Sequence, residues 1–229
     1  MKIRIFGIQR SGTNYLEQLL NEHTQLEATP GNPASGYWKH TAFPERRFLF
    51  AEDIHFVIVK NPFKWLESLH RYNADLTWRS GVYHQNLFNN EEIRKNSAYL
   101  IHDARNHPTA LEGAVRLYNT FYRNWIDFLD NQKELRIHLF RYEDILRNQT
   151  GFVNGVQKKF QQFYIRKRTI SMGTVRQSDD FSHDRRKDYL DQKNVKILSA
   201  EALKMSLGQF DLDLLSTRLR YPIPSSEER

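Results

Sequence analysis

KIRIFGIQRSGTNYLEQLL, residues 2–20, is the stretch that decides the predicted fold. Its first five residues alternate polar and apolar side chains and are rich in β-branched and aromatic types, which predicts a strand. Residues 7–13 hold two glycines, two hydroxyl groups and one cation, and indicate a turn. Apolar residues at helical spacing follow over 15–20. A strand, a glycine loop and a helix in this order direct free backbone N–H groups at one place, so the loop suits a phosphate.

The loop comes close to the G-x-x-x-x-G-K-[ST] pattern of nucleotide-binding loops without completing it. Gly7 and Gly12 have the required separation, but Thr13 stands at the lysine position and the cation of the loop, Arg10, comes earlier. An ATP or GTP kinase uses that lysine on the β- and γ-phosphates. The pattern therefore favours an anion site and argues against an ordinary NTPase. The alternative is a tight strand-to-helix turn that needs glycine for geometry alone.

Composition narrows the class of protein. The 229 residues suffice for one domain with a proper core, 39% of them are hydrophobic, and none is cysteine, which excludes disulfides and thiolate chemistry. No apolar run approaches the length of a membrane span, and the strand-like start has no signal-peptide character. We therefore expect a single domain over residues 1–229 in the cytoplasm. The net charge of +7 favours anionic partners, although ordinary solubility would also account for it.

A second strand, turn and helix follow in the middle of the first half of the chain. The segment 54–59 is a nearly continuous apolar run, typical of a central parallel strand covered on both faces. Lys60 and Asn61 end it, and Pro62 suits the first turn of a helix that continues to Tyr72. In open α/β sheets ligands bind at the carboxyl ends of the strands, so Lys60 is expected at the same edge as the glycine loop.

Periodicity predicts the remaining secondary structure. Residues 109–130 are predicted as a helix, and 135–140 as a strand followed by a helix to about Tyr164. Residues 22–35 are predicted as a loop. The short aromatic segment 36–40 ends in Lys39 and His40. It is either a strand that brings these two side chains to the sheet edge or a surface turn.

Other segments are predicted to lie outside this sheet. Residues 73–108 are polar with scattered aromatic side chains, which predicts an insertion in the form of a loop or a small helical lid. Two short helices are expected around 187–195 and 199–208, and a disordered tail over 222–229. Together the elements predict an α/β fold: a three-layer sandwich with a central, mostly parallel sheet, of the P-loop NTPase-like type, with a helical or loop insertion.

Three segments together resemble the sulfotransferase family, whose donor is 3′-phosphoadenosine 5′-phosphosulfate (PAPS). Residues 9–15, QRSGTNY, resemble the family's P-K-S-G-T-T-W-like loop. Lys60 and Ser68, eight positions apart, resemble its second donor motif, and Tyr142-Glu143-Asp144 resembles its Y-E-D. The departures are Gln for Pro, Arg for Lys, Asn for Thr and Tyr for Trp in the loop, and Lys for Arg at position 60. The resemblance covers roughly residues 1–72 and 109–164.

The resemblance implies a donor site in two parts. The loop residues would hold the 5′ phosphosulfate, and Tyr15 would pack on the adenine. Lys60 and Ser68 would hold the 3′-phosphate, with Tyr142 near the nucleotide. The loop residues in question are Arg10, Ser11, Gly12, Thr13 and Asn14. The family's late R-K-G motif has no clean match, and Arg176, Arg185, Arg186 and Lys187 are its candidate substitutes. No metal is implied.

The resemblance also points to a general base. The acceptor hydroxyl must lose a proton, and histidine has a suitable unperturbed pKa. Lys39-His40-Thr41 resembles, with a shift of one position, the K-T-H segment that supplies the family's base and a helper lysine. His40 is thus the first candidate base, Lys39 its helper and Arg10 a further catalytic cation. Glu27 is the second candidate base, because some glycan-modifying members use a glutamate in this region.

The resemblance therefore implies a PAPS-dependent sulfotransferase that acts on a hydroxyl or amine of a small-molecule or glycan acceptor, with the insertion at 73–108 on the acceptor side of the site. Nucleic acid, a membrane span and a metal are not expected. One alternative is a P-loop nucleotide or small-molecule kinase, against which the missing lysine counts. The other is a basic nucleic-acid-binding protein, which the net charge supports but which leaves the spacing of Arg10, Lys60 and Ser68 unexplained.

Overall fold

A computed structural model describes residues 2–24, 26–30, 39–71, 110–160 and 210–221. Four parallel strands form one sheet in the order β2-β1-β3-β4. The strands are β1 (Ile3–Phe6), β2 (Ala28–Pro30), β3 (Ile54–Val59) and β4 (Arg136–Arg141). An α/β fold built on a parallel sheet is thereby confirmed.

Five α-helices accompany the strands within the described residues. They are α1 (Thr13–His23), α2 (Pro62–Arg71), α3 (Ala110–Asn131), α4 (Tyr142–Arg147) and α5 (Gln149–Phe160). A 3₁₀ turn at Arg46–Phe48 and a π-helical turn at Leu214–Arg218 complete the regular structure. No helix in the described part of the chain is both long enough and apolar enough to cross a membrane.

Apolar clusters cover both faces of the sheet, and β3 shows why. Ile54, Phe56 and Ile58 pack with α1, α4 and α5. Val57 and Val59, which alternate with these residues along the strand, pack on the other face of the sheet with α2, α3 and residues 210–221. All six residues of β3 are buried, as its continuous apolar run predicts. Full burial of one such side chain stabilises the fold by about 1.5–3 kcal/mol.

The strand β2 corrects the predicted loop over 22–35. Ala28–Pro30 pairs with β1, in the register Ile3 with Ala28 and Ile5 with Pro30. The side chain of Asn21 fixes it from α1: its Nδ2 donates to the carbonyl of Ala28, and its Oδ1 accepts from the Ala28 N–H, both at 2.9 Å. The side-chain amide of Asn21 therefore satisfies the backbone groups of β2 that a neighbouring strand would otherwise bond. Turn residues in the local sequence do not reveal such a contact.

The helix predicted after β4 is interrupted. The backbone leaves helical geometry at Asn148, which separates α4 from α5. The side chain of Asn148 accepts the Gly151 N–H at 2.8 Å, and so supports the start of α5. An asparagine that bonds its own neighbourhood favours such a break.

Several predictions fall outside the described residues. These are the insertion at 73–108, the helices around 187–195 and 199–208, the late basic residues Arg176, Arg185, Arg186 and Lys187, and the tail at 222–229. Of the segment 36–40, Lys39 and His40 are described and lie in a turn.

Candidate functional site

The loop between β1 and α1 has an unusual backbone. Arg10 has φ 67° and Gly12 has φ 103°, both in the left-handed region. Gly12 precedes the first residue of α1, and a Cβ there would lie 2.5 Å from the Tyr142 ring. The first N–H groups of a helix have no acceptor within the helix, and left-handed turns gather such groups into concave anion sites. The backbone at the start of α1 is therefore compatible with an anion site.

Lys60 brings the second predicted motif to this loop. Its Nζ donates to the Ser68 hydroxyl at 2.6 Å and to the Arg10 carbonyl at 3.4 Å. The same ammonium lies 5.3 Å from the centre of the Tyr142 ring. Lys60 directly follows β3, and Ser68 lies in the second turn of α2. The two residues are therefore eight positions apart in the sequence, although their side chains are adjacent. The structure thus brings Lys60, Ser68, Tyr142 and the glycine loop together.

Lys39 and His40 lie against the start of the loop. The Gly7 N–H donates to the Lys39 carbonyl at 2.9 Å, and His40 Nδ1 lies 2.5 Å from the Gly7 carbonyl oxygen. Lys39 Nζ donates to Asn14 Oδ1 on the exposed start of α1. Two backbone positions of one glycine therefore anchor the segment that carries the predicted base.

The contact with Gly7 defines the form of the His40 ring. A carbonyl oxygen only accepts, so Nδ1 carries the proton in this contact and Nε2 carries the lone pair. Burial and, to a smaller extent, the charge of Lys39 lower the pKa of His40 to about 3, and the bond to the Gly7 carbonyl opposes both. The ring is therefore neutral at physiological pH, with Nε2 able to accept a proton.

Two buried tryptophan side chains bond the backbone of the glycine loop and of the turn at residues 39–41. Trp65 Nε1 of α2 donates to the Gln9 carbonyl in the loop at 2.7 Å, and Trp125 Nε1 of α3 donates to the Thr41 carbonyl at 2.9 Å. Both side chains are buried in the cluster that covers this face of the sheet. The loop and the 39–41 turn are thus each fixed to a different helix.

The aromatic residues of the predicted nucleotide site are buried. Tyr15 is fully buried and meets the Tyr142 ring edge-on, with 5.5 Å between ring centres. Tyr142 is 5% exposed and covers Gly12. The structure therefore does not bring Tyr15 to a face on which an adenine could pack. The side chains of Ser11 and Thr13 are buried as well, whereas Asn14 is exposed.

Glu27 is not part of this site, which corrects its choice as second candidate base. Its carboxylate pairs with Lys2 Nζ at 2.6 Å, and its carbonyl accepts the Ile3 N–H. Both contacts lie at the amino end of β1, whereas the glycine loop follows the carboxyl end. Pairing of β2 with β1 from Ile3 onward fixes this position, and it was not visible from the sequence.

Glu17 is an acidic residue beside Lys39 that the sequence patterns did not indicate. It lies on α1, one turn after Thr13, and interacts electrostatically with Lys39. Burial raises the pKa of Glu17, and Lys39 opposes the shift. Burial also lowers the pKa of Lys39, opposed by Glu17. Twenty-one residues lie between Glu17 and Lys39, and the sequence carries no local signal that would pair them.

No group of three or more His, Asp or Glu side chains in the described ranges is arranged to hold a metal.

Compared with models of protein families, with curated proteins and with solved structures, the chain shows no match in any of the three. The functional assignment therefore depends on the geometry of the site and on the resemblance of its motifs.

Proposed function

We propose that this chain is a sulfotransferase that moves a sulfuryl group from PAPS to a hydroxyl or amine of an acceptor, on a three-layer scaffold of the P-loop NTPase-like type. One observation carries the proposal: Lys60 Nζ lies 2.6 Å from the Ser68 hydroxyl and within hydrogen-bond reach of the Arg10 carbonyl. The two segments that resemble the family's donor motifs thus meet at one point, as the resemblance requires.

The donor's 3′-phosphate is assigned to Lys60 and Ser68. An ammonium and a hydroxyl side by side offer a charged and a neutral donor to adjacent phosphate oxygens. The 5′ phosphosulfate is assigned to Arg10, Asn14 and the N–H groups at the start of α1, where the helix dipole adds positive charge. Ser11 and Thr13 contribute through their backbone, because their side chains are buried.

The transfer step uses His40 and Lys39. The acceptor oxygen forms a bond to sulfur while the bond from sulfur to the bridging phosphate oxygen breaks, and 3′-phosphoadenosine 5′-phosphate (PAP) leaves. His40 Nε2 takes the acceptor proton. The low pKa of the buried imidazole makes it a weak base on its own; an anion beside it favours the protonated form and strengthens it. Lys39, held by Asn14, stabilises negative charge on the transferring group.

Calorimetric titration with PAP tests the donor site directly. We expect micromolar binding without metal, and roughly tenfold to hundredfold weaker binding for Lys60→Ala, because a hydrogen bond to a charged group is lost. Ser68→Ala should weaken binding less, since a neutral donor is lost. Lys133→Ala is the matched control: it removes a lysine whose side chain is 76% exposed and pairs only at 3.9 Å with Asp130.

Two outcomes would replace the proposal with another function. Binding of ATP with Mg²⁺ in the absence of PAP binding would favour a kinase. Binding of DNA or RNA with a steep salt dependence, again without PAP binding, would favour a nucleic-acid-binding protein.

A further inference from the structure

Three side chains from distant segments of the chain fix the backbone around Lys60. The Tyr118 hydroxyl of α3 donates to the Lys60 carbonyl at 2.7 Å. The Tyr221 hydroxyl donates to the Val59 carbonyl at 3.3 Å, and Glu143 Oε1 of α4 accepts the Asn61 N–H at 2.9 Å. The residue before Lys60, Lys60 itself and the residue after it are thus each held by a side chain that lies far away in the sequence.

Two of these side chains form a pair. The Tyr221 hydroxyl lies 2.8 Å from Glu143 Oε2, and the residues are 3% and 6% exposed. The Arg141 guanidinium stacks 4.6 Å from the centre of the Tyr221 ring and donates through Nη1 to the Arg220 carbonyl. The segment 210–221 is therefore fixed to the carboxyl ends of β3 and β4.

The bond between Glu143 and the Asn61 N–H also affects the position of Ser68, because Asn61 caps the helix that carries Ser68. Asn61 Oδ1 accepts the N–H groups of Phe63 and Lys64, at 3.1 and 3.2 Å, and so caps the start of α2. Ser68 lies on that helix. The Glu143 carboxylate thus holds Asn61, which lies between the two donors of the proposed phosphate site. Lys60 precedes Asn61, and the helix that carries Ser68 begins directly after it.

A buried carboxylate is costly to keep for stability alone. Removing a charged group from water costs several kcal/mol unless hydrogen bonds compensate, and apolar residues of similar volume fill a core at least as well. The hydrogen bonds that compensate Glu143 include one from a backbone N–H and one from a hydroxyl, both next to Lys60. Such a network fixes geometry more than it adds stability.

We propose that Glu143 and Tyr221 are positioning residues of the anion site, and that they set the distance between Lys60 and Ser68. The segment 210–221 is then part of that site through Tyr221. This inference rests on the proposed function, in which Lys60 and Ser68 bind the 3′-phosphate.

The test combines a ligand readout with a ligand-free one. Tyr221→Phe removes one hydroxyl and keeps the ring. We expect PAP to bind roughly threefold to thirtyfold more weakly to this variant, the range typical of residues that act on a site through others. In the protein without ligand, the exchange of the Asn61 amide with D₂O should accelerate and its ¹H resonance should move upfield, because the carboxylate acceptor loses its second anchor.

Two further variants separate positioning from general stability. Glu143→Gln keeps a carbonyl acceptor and should retain more PAP affinity than Glu143→Ala. Thr217→Ala removes a hydroxyl bond to Asp213 within the same segment and should leave both PAP affinity and the Asn61 amide unchanged.

The two readouts distinguish the possible failures. If the wild-type protein binds no PAP, the proposed function fails, while the Asn61 amide still reports whether Tyr221 fixes the turn. If PAP binds normally to Tyr221→Phe and the Asn61 amide is unaffected, the positioning role is overturned and the proposed function stands. Equal losses of PAP affinity in Glu143→Gln and Glu143→Ala would likewise overturn it.

Discussion

His40 Nδ1 lies 2.5 Å from the carbonyl oxygen of Gly7, so the loop that begins the candidate anion site also fixes the protonation form of the histidine beside it. The contact requires a proton on Nδ1 and leaves the lone pair on Nε2. We expect His40 to keep this tautomer without titrating between pH 5 and 8, because burial lowers its pKa to about 3. Nitrogen-15 NMR of the imidazole ring measures both properties. A titration near pH 6.5, or a proton on Nε2, would contradict the prediction.

His40→Ala should reduce turnover far more than donor binding. If His40 is the general base of the proposed transfer, its loss lowers kcat by about 10²- to 10⁴-fold, while the dissociation constant of PAP changes little. His138→Ala is the control, because that residue contacts Lys159 and Phe160 away from the loop. Steady-state kinetics with PAPS and an acceptor found by screening give the measurement. Unchanged turnover would exclude His40 as the base.

Gly12→Ala should destabilise the protein and distort the loop. The φ of 103° disfavours any residue with a Cβ, and the new atom would lie 2.5 Å from the Tyr142 ring. We expect a loss of more than about 2 kcal/mol, which for a chain of this size lowers Tm by roughly 4–8 °C. Gly155→Ala is the matched control: nothing lies within 4 Å of its added Cβ, and alanine in the helix α5 should stabilise by about 0.5–1 kcal/mol. Equal effects of the two substitutions would contradict the conformation of the loop.

The stability of the fold should fall on mild acidification because of His55. This residue is fully buried on β3, and burial lowers its pKa to about 4 against the opposing charge of Asp53. The unfolded chain takes up the proton near pH 6.5 and the folded chain only near pH 4, so protonation favours unfolding as the pH drops through this window. His55 alone should lower the free energy of unfolding by about 2 kcal/mol between pH 7 and pH 5.

Urea denaturation at the two pH values provides the test for His55. The comparison variant is His55→Phe, which keeps a ring beside Phe6, whose centre lies 6.3 Å away. Its stability should change less with pH than that of the wild-type protein, by the amount assigned to His55. Parallel pH dependences of the two proteins would mean that His55 titrates normally in the folded state.

Local sequence patterns predicted those parts of the structure that are determined by residues close to one another in the chain. The apolar run of β3, the stripe of α3 and the glycine loop were all predictable from local patterns, and the resemblance of the second motif pointed to the pairing of Lys60 with Ser68. β2 was missed because it is three residues long and includes Pro30, and because its outer edge is satisfied by the side chain of Asn21. Proline is tolerated at such an edge.

The parts of the site that were missed all depend on distant segments. Tyr221 is 78 residues from Glu143 and 162 from Val59, and no periodicity links positions so far apart. Glu17 is close to Lys39 because long-range contacts, among them the bond from the Gly7 N–H to the Lys39 carbonyl, hold this turn beside α1. The burial of Tyr15 has the same origin, since the helix α4 that covers it comes from after the fourth strand.

The indole of Trp65 binds the Gln9 carbonyl inside the glycine loop, and this bond gives the protein an optical reporter of its own. An indole whose N–H bonds to the loop backbone changes its emission when that backbone moves or when charge arrives nearby. Replacing Trp65 with phenylalanine identifies its share of the fluorescence among the four tryptophans of the chain. Occupation of the loop by an anion can then be followed by fluorescence, in stopped-flow time, without any label.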